Sequence, residues 1–470
     1  MSSNELLRRA AEIATDYLDR LPERPVGSKA TVAEMRSALG GALPEAGESA
    51  PSVLENLARA ADPGIVATAG PRYFGFVVGG TLPVTIAADW LTSTWDQNAG
   101  LFVLSPANAV AEETAGVWLG ELFGLPSGAS VGFVTGCQAA NFSALAAARH
   151  ALSQRFGWDV EARGLYGAPE IEVVVGAEAH VTVHTALQML GLGRERVHRV
   201  AIDDQGRMLP AALAATLAPL AGRPTLVCAQ AGNVNSGAFD PLAEIADLTV
   251  PHGAWLHVDG AFGLWAGASP ALRPLVAGVE RADSWATDAH KWLNVPYDSG
   301  LVFCAHPEAH RAALTAHADY LEQTAGQERD SFEWAPEFSR RARGFAIWAA
   351  LRHLGRSGVA GLVERCCRHA RRFAELLEHQ GRVEILNDVV LNQVLVRFHP
   401  PGDSSGAAAA IDAFTREVIR RVQLDGTCWL SGTTWRGQAA MRISVSNWST
   451  SDADVERSAA AIRRAAELPH

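Results

Sequence analysis

Only two of the 470 residues are lysine, Lys29 and Lys291, against 38 arginines. A chain that uses arginine almost everywhere still places a lysine in Asp288-Ala289-His290-Lys291-Trp292. A guanidinium stays protonated and serves most ion-pairing purposes, whereas an amine taken out of water can lose its proton and attack a carbonyl. Lys291 is therefore read as a nucleophile that forms a covalent imine, and Lys29 as incidental. Upstream, Leu256-His257-Val258-Asp259-Gly260-Ala261-Phe262 reads as a buried strand ending in a carboxylate, at the edge where α/β sheets place ligands. Alone, such an aspartate could equally hold a metal, cap a helix or pair with a ring nitrogen. The 32 residues from Asp259 to Lys291 allow one helix and a return strand over 283–287, so both side chains can converge on one crevice. A carboxylate and an amine so placed suggest pyridoxal 5'-phosphate (PLP).

PLP also carries a phosphate dianion, which a lysine-poor, acidic chain must meet with backbone N–H groups at a helix start. Gly132-Phe133-Val134-Thr135-Gly136-Cys137-Gln138-Ala139-Ala140-Asn141 passes from a short strand through a Thr-Gly turn into a long Ala/Leu helix, and offers such a place. His180, between a strand over 171–175 and a helix, is positioned to stack on the cofactor ring. With His184 it forms His-x-x-x-His, but the intervening residues lack the glutamate of zinc-protease motifs and no third ligand is evident, so no metal site is expected. Gly191-Leu192-Gly193 lacks the third glycine of a dinucleotide loop and reads as a helix end.

The elements that must position these residues follow from patterning. Residues 1–69 form a helical arm too small for its own core, expected to pack on a dimer partner. Residues 70–320 alternate β-branched runs (170–175, 196–202, 225–229, 255–258, 300–304) with Ala/Leu-rich helical stretches, the mark of a mostly parallel sheet covered by helices. Residues 321–470 comprise a charged loop and a smaller α+β domain, with helices over 344–380, apolar runs at 389–398 and 441–445, and a final helix that Ser451 can cap with Asp454. A net charge of -11 without a basic block argues against nucleic acid and anionic membrane as partners. The first 21 residues lack a continuous apolar stretch, and six cysteines without C-x-x-C spacing fit a reducing compartment, so a cytoplasmic enzyme is expected.

These residues resemble the group II amino-acid decarboxylases, PLP enzymes of fold type I that include aromatic-L-amino-acid, histidine and glutamate decarboxylases. Asp288-Ala289-His290-Lys291-Trp292-Leu293 is similar to the family's lysine motif, His257-Val258-Asp259-Gly260-Ala261-Phe262 to its aspartate strand, and Ala179-His180 to its Ala-His pair, all in family order. The resemblance, over residues 70–468, implies a large domain with a mostly parallel seven-stranded sheet, a smaller C-terminal α+β domain and a homodimer. It implies that Lys291 carries the imine, that Asp259 keeps the pyridine nitrogen protonated, and that His180 stacks above the ring with Ala261 below. Gly136, Cys137 and Gln138 match its phosphate loop, Asp288 and His290 its other phosphate contacts, and Asn233 falls near its threonine beside the ring oxygen. The expected reaction is decarboxylation of an L-amino acid.

The chain departs from that family over 321–340, where decarboxylases carry a loop tyrosine that protonates the substrate carbon after CO2 leaves. Ser331 or Phe332 occupies the matching region and Tyr320 lies upstream. Neither Phe nor Ser is an equivalent acid. In related enzymes loss of this hydroxyl accompanies aldehyde-forming deamination, which keeps that reaction, or an aldol-type carbon–carbon lyase, open beside decarboxylation. A non-enzymatic PLP-binding regulator is the remaining alternative. Candidate proton donors are Tyr320, Tyr73, His180 or a partner-chain group. The candidate substrate pocket draws on Tyr73, Phe76, Trp95, Asn98 and Phe102, whose apolar surfaces favour an aromatic side chain over glutamate. Arg72 and Arg442 could bind a carboxylate, although each is read first as a structural ion-pair partner.

Overall fold

The computed structural model describes residues 3–315, 328–378, 382–401 and 407–467. They form two compact units, one of residues 79–371 and 386–395, the other of 1–78, 372–385 and 396–470. The helical arm thus shares a unit with the C-terminal segment, and 328–371 pack with the larger body and not, as expected, with the smaller domain.

The larger unit is built on seven strands: β1 (Ser130–Val134), β2 (Glu172–Gly176), β3 (His198–Val200), β4 (Thr225–Gln230), β5 (Trp255–Asp259), β6 (Ser284–Asp288) and β7 (Gly300–Cys304). Their order is β1-β7-β6-β5-β4-β2-β3. Strands β3, β2, β4, β5 and β6 run parallel, whereas β7 is antiparallel to both neighbours. Most of these strands are buried along their whole length, which is why they read as continuous β-branched and aromatic runs rather than alternating ones. The helix Cys137–Arg155 lies against the sheet through Ala140, Ala144, Ala147 and Ala148, side chains small enough for close approach.

The connection from β5 to β6 departs from the expected single helix. Three 3-10 segments, Gly263–Ala268, Arg273–Val276 and Val279–Arg281, take its place. Gly260, Gly263, Gly267, Pro270, Pro274 and Gly278 punctuate the stretch too often for an α-helix to propagate. The following strand still returns beside β5, so the crevice survives.

A second sheet of four strands has the order β10-β11-β9-β8, with β8 (Val383–Ile385), β9 (Gln393–Phe398), β10 (Ser431–Trp435) and β11 (Gln438–Ser444), all but the first three residues of β9 falling in the other unit. The terminal helix Asp452–Glu467 begins at the expected capping box: Asp454 N–H donates to Ser451 Oγ (3.2 Å), and Ser451 N–H donates to Asp454 Oδ2 (3.0 Å). Tyr73 is buried and stacks on Trp429, with ring centroids 5.1 Å apart. Phe76 stacks on the same indole at 5.8 Å but is exposed. Arg72 is buried with its guanidinium donating to the carbonyls of Pro22, Arg24 and Thr427, so its structural reading stands on backbone carbonyls more than on ion pairing.

Candidate active site

The C-terminal ends of β5 and β6 deliver Asp259 and Asp288 side by side, and the short helix Ala289–Trp292 then presents His290 and Lys291. The antiparallel strand β7 completes the arrangement. Its first residue, Gly300, pairs with Asp288 on one side and with Val134 on the other, drawing the 134–137 turn against the lysine segment. A Cβ on Gly300 would fall 2.5 Å from the Gly136 backbone, so this approach requires glycine.

Lys291 Nζ lies 2.9 Å from Asp288 Oδ2. Burial disfavours the ammonium, but Asp288 and the other acids around it outweigh burial and raise the amine's pKa. The sequence predicts a desolvated, easily deprotonated amine; the structure gives it a counter-ion. Asp288 Oδ1 accepts from the Cys137 N–H (2.6 Å) and sits 3.4 Å from His290 Nε2. A carboxylate is suited to fixing the lysine and the helix start, not to touching a phosphate directly. His290 Nδ1 accepts from the Ser299 N–H (3.1 Å), which leaves its proton on Nε2. Burial lowers the His290 pKa against the opposing pull of Asp288, so the ring is a neutral donor.

Asp259 is buried, and its Oδ1 accepts from the Ala261 N–H (3.2 Å) while its Oδ2 accepts from Asn141 Nδ2 (3.2 Å). The Cys137 thiol is 3.5 Å from Oδ1, and burial foremost raises its pKa, so it stays a neutral SH. Ala261 packs on the cluster that contains Cys137, and its carbonyl accepts from the Asp288 N–H (2.9 Å). His180 is the N-cap of the helix Val181–Met189, its Nδ1 lying 2.8 Å from Thr182 Oγ1, which Asn141 Nδ2 also reaches at 3.2 Å. Gln138 is exposed at the start of the helix Cys137–Arg155. The structure therefore brings Gly136, Cys137, Ala261, Asp259, Asp288, His290 and Lys291 into one cluster, to which Asn141 and Thr182 join His180.

These residues fit PLP. An acceptor-only carboxylate and an amine stand at adjoining strand ends, and a helix start with a Cβ-free Gly136 lies beside them; a Cβ there would come 3.2 Å from His290 Cε1. Asn233 supplies a further mark: its Nδ2 is buried without a partner, while its Oδ1 accepts from the Asn235 and Ser236 N–H groups at 2.8 and 3.2 Å. It lies two residues beyond Ala231, whose N–H donates to the Asp259 carbonyl (2.8 Å). Lys291 would hold the cofactor aldehyde, Asp259 the ring nitrogen, and the helix start with His290 the phosphate.

The contacts of the other candidates lie outside that cluster. The Trp95 ring meets Phe345 edge-on at 5.1 Å. Asn98 accepts from Gly100 (3.1 Å) and Arg340 (3.2 Å) N–H groups and donates to Ser339 Oγ (3.4 Å), and Phe102 N–H donates to Asp330 Oδ1 (2.7 Å). The Ser331 hydroxyl is committed to the buried Glu112 (2.8 Å), and Phe332, which has no hydroxyl, is buried against Phe338. Tyr320 lies outside the described residues. His184 Nδ1 lies 3.2 Å from the Arg194 carbonyl oxygen, away from the partner of His180.

Sequence reasoning missed Tyr297, whose ring stacks on His290 with centroids 4.3 Å apart. Burial raises its phenol pKa while Lys291 pulls it down. Its place six residues after Lys291 was the available signal. Also missed was Glu112, paired with Arg340 at 2.8 Å with both side chains fully buried. Arg340→Ala would leave that carboxylate without its counter-ion and is expected to cost about 3–5 kcal/mol, read as a lowered urea midpoint at unchanged m-value.

His257 gives a pH prediction. Burial lowers its pKa from 6.5 to about 4, with Asp259 opposing. Between those values the unfolded chain binds a proton that the folded chain refuses, so stability falls as pH drops from 6.5 towards 4, by up to about 1.4 kcal/mol per pH unit. His310, lowered by burial to about 3, adds a loss of the same sign. Urea titrations at pH 7, 6 and 5 check this; a flat profile contradicts it.

A parallel-dominated sheet with two aspartates at adjoining strand ends and a lysine in the short helix that follows is an arrangement that suits a PLP enzyme. The chain belongs to the pyridoxal-dependent decarboxylase family: the conserved domain of that family matches residues 33–399. It is 26% identical over 441 residues to an aromatic-L-amino-acid decarboxylase of Bacillus atrophaeus, covering 93% of this chain and 89% of the relative. It is 30% identical over 350 residues to the acidic amino acid decarboxylase GADL1 of Bos taurus, covering 72% and 65%. Oryza sativa TDC, solved with PLP and tryptamine, superposes with a TM-score of 0.92 at 23% identity, covering 98% and 97% of the two chains. Rhodiola rosea 4-hydroxyphenylacetaldehyde synthase superposes with a TM-score of 0.86 at 23% identity, covering 99% of each. PLP is the cofactor of the family.

Proposed function

We propose that the chain decarboxylates an aromatic L-amino acid as a cytoplasmic homodimer. The observation that carries the reaction is the pairing of Lys291 with Asp288 beside Asp259 at the sheet's edge. Bound there, PLP supplies an electron sink for the bond broken at the substrate's α-carbon. The chain's own residues do the rest: Asp259 holds a proton at the ring nitrogen, Asp288 orients the Lys291 amine, and the neutral His290 donates from Nε2. The aromatic preference draws support from the relatives named for aromatic substrates.

Support for a second copy comes from the arm. The helices Val32–Leu39 and Ala50–Ala61 bury none of their residues, and Leu39, Leu43, Val53 and Leu57 are exposed. Such apolar surface needs a cover. The six cysteines are buried and none is in a disulfide, which suits a reducing compartment.

Aldehyde-forming oxidative deamination is the second reading, favoured by Ser331 and Phe332 being turned into the core. One experiment separates the two. The purified holoenzyme, expected to sediment at twice the 49.9 kDa of the chain, is offered a panel of L-amino acids while CO2, amine, aldehyde, dioxygen uptake and peroxide are followed. Amine and CO2 in equal amounts from tyrosine, tryptophan or phenylalanine are expected. Aldehyde with peroxide establishes the second reading, and no CO2 from any amino acid removes both.

A further inference from the structure

We infer that Asn141 is a positioning residue: its one buried amide joins Asp259 and His180 into a single hydrogen-bond chain whose donor directions are fixed from end to end. The inference rests on placing Asp259 and His180 at the cofactor.

The directions follow from Asp259, a carboxylate that can only accept. The Asn141 atom 3.2 Å from its Oδ2 must therefore be the NH2 group, and the second hydrogen of that group goes to Thr182 Oγ1, also at 3.2 Å. Asn141 Oδ1 is then left facing His257 Nε2 at 2.9 Å and must accept from it. A single proton on Nε2 of a neutral ring makes Nδ1 an acceptor, and it lies 3.0 Å from Ser284 Oγ. The Ser284 oxygen meanwhile accepts from Trp255 Nε1–H at 2.9 Å, which leaves its own proton for His257. The lowered pKa of His257 agrees with a neutral ring.

The second limb is fixed twice over. Thr182 Oγ1, having accepted from Asn141, gives its proton to His180 Nδ1 at 2.8 Å. The Thr182 backbone N–H also points at that nitrogen at 3.4 Å. His180 thus carries its proton on Nε2, with the ring plane held by the helix it caps. Asn141 and His257 are fully buried, so water cannot substitute for a missing partner without opening the core. Aspartate at 141 would set two carboxylates about 3.2 Å apart and remove the donor to Thr182.

The test combines cofactor binding, kinetics and proton positions. N141L is expected to weaken PLP binding to the apoenzyme at least tenfold and to lower kcat at least tenfold with KM changed less. T182V, which cuts only the His180 limb, should leave PLP binding within twofold and lower kcat, and the N141L/T182V double variant should be no slower than N141L. Neutron diffraction from the deuterated wild-type holoenzyme should show deuterium on Nε2 of both His180 and His257 and none on Nδ1. Deuterium on Nδ1 of either ring overturns the inference even where N141L fails to fold. So does unchanged PLP affinity in N141L, or losses that multiply in the double variant. Because proton positions are read without turnover, a failure of the decarboxylation reading leaves this result standing.

Discussion

Lys291→Ala lowers turnover by about 10⁴-fold or more, the scale seen when a covalent nucleophile is removed. No second lysine belongs to the larger unit, since Lys29 lies in the other. The alanine variant also strips the buried Asp288 of its cation at 2.9 Å, so a weakened fold is a second route to lost activity. Lys291→Arg separates the two effects: a guanidinium keeps a cation near Asp288 but cannot form the imine. The same loss in both variants is expected, with Lys291→Arg the more stable in urea. Retention of a tenth of wild-type turnover by the arginine variant contradicts the account.

Asp259→Asn is expected to reduce kcat by about 10²–10³-fold, the range for removing one preorganised electrostatic partner in a water-poor site. The amide keeps the shape of the side chain but carries no charge to hold a proton on the ring nitrogen. One of its atoms must also face the Asn141 NH2 group, so part of the loss reflects a hydrogen bond that can be remade only by rotating the amide. Asp259→Ala leaves the Asn141 and Ala261 donors unpaired as well, costing about 1–3 kcal/mol of stability for each buried group. Steady-state kinetics of both variants with the preferred amino acid decide the point; near-normal turnover in Asp259→Asn removes the proposed role.

Local sequence carried the chemistry further than it carried the architecture. Asp259 and Lys291 were legible because each sits at a strand end inside a short segment of unusual composition. The parallel core was legible because strands buried on both faces leave continuous apolar runs, as β4 and β5 do. The antiparallel direction of β7 was not, since 300–304 pairs with residues from 130–134 as well as with its neighbour in sequence. The Asn141 chain was hidden for the same reason: Asn141 and His257 are 116 residues apart and meet only through the fold. The 3-10 path between β5 and β6 was foreshadowed by its glycines and prolines, but helical content was read from length instead. Ser331 and Phe332 fall where the family's loop carries its acid and cannot replace it; their contacts with Glu112 and Phe338, which no local pattern announces, make them part of the scaffold.

The central claim is that one amine in this chain bonds the cofactor, and the scarcity of lysine makes it simple to test. Borohydride reduction of the holoenzyme, followed by proteolysis and mass spectrometry, should find the pyridoxyl group on the peptide containing Lys291 and on no other. A pyridoxyl label on Lys29 or the terminal amine, with Lys291 unmodified, contradicts the account.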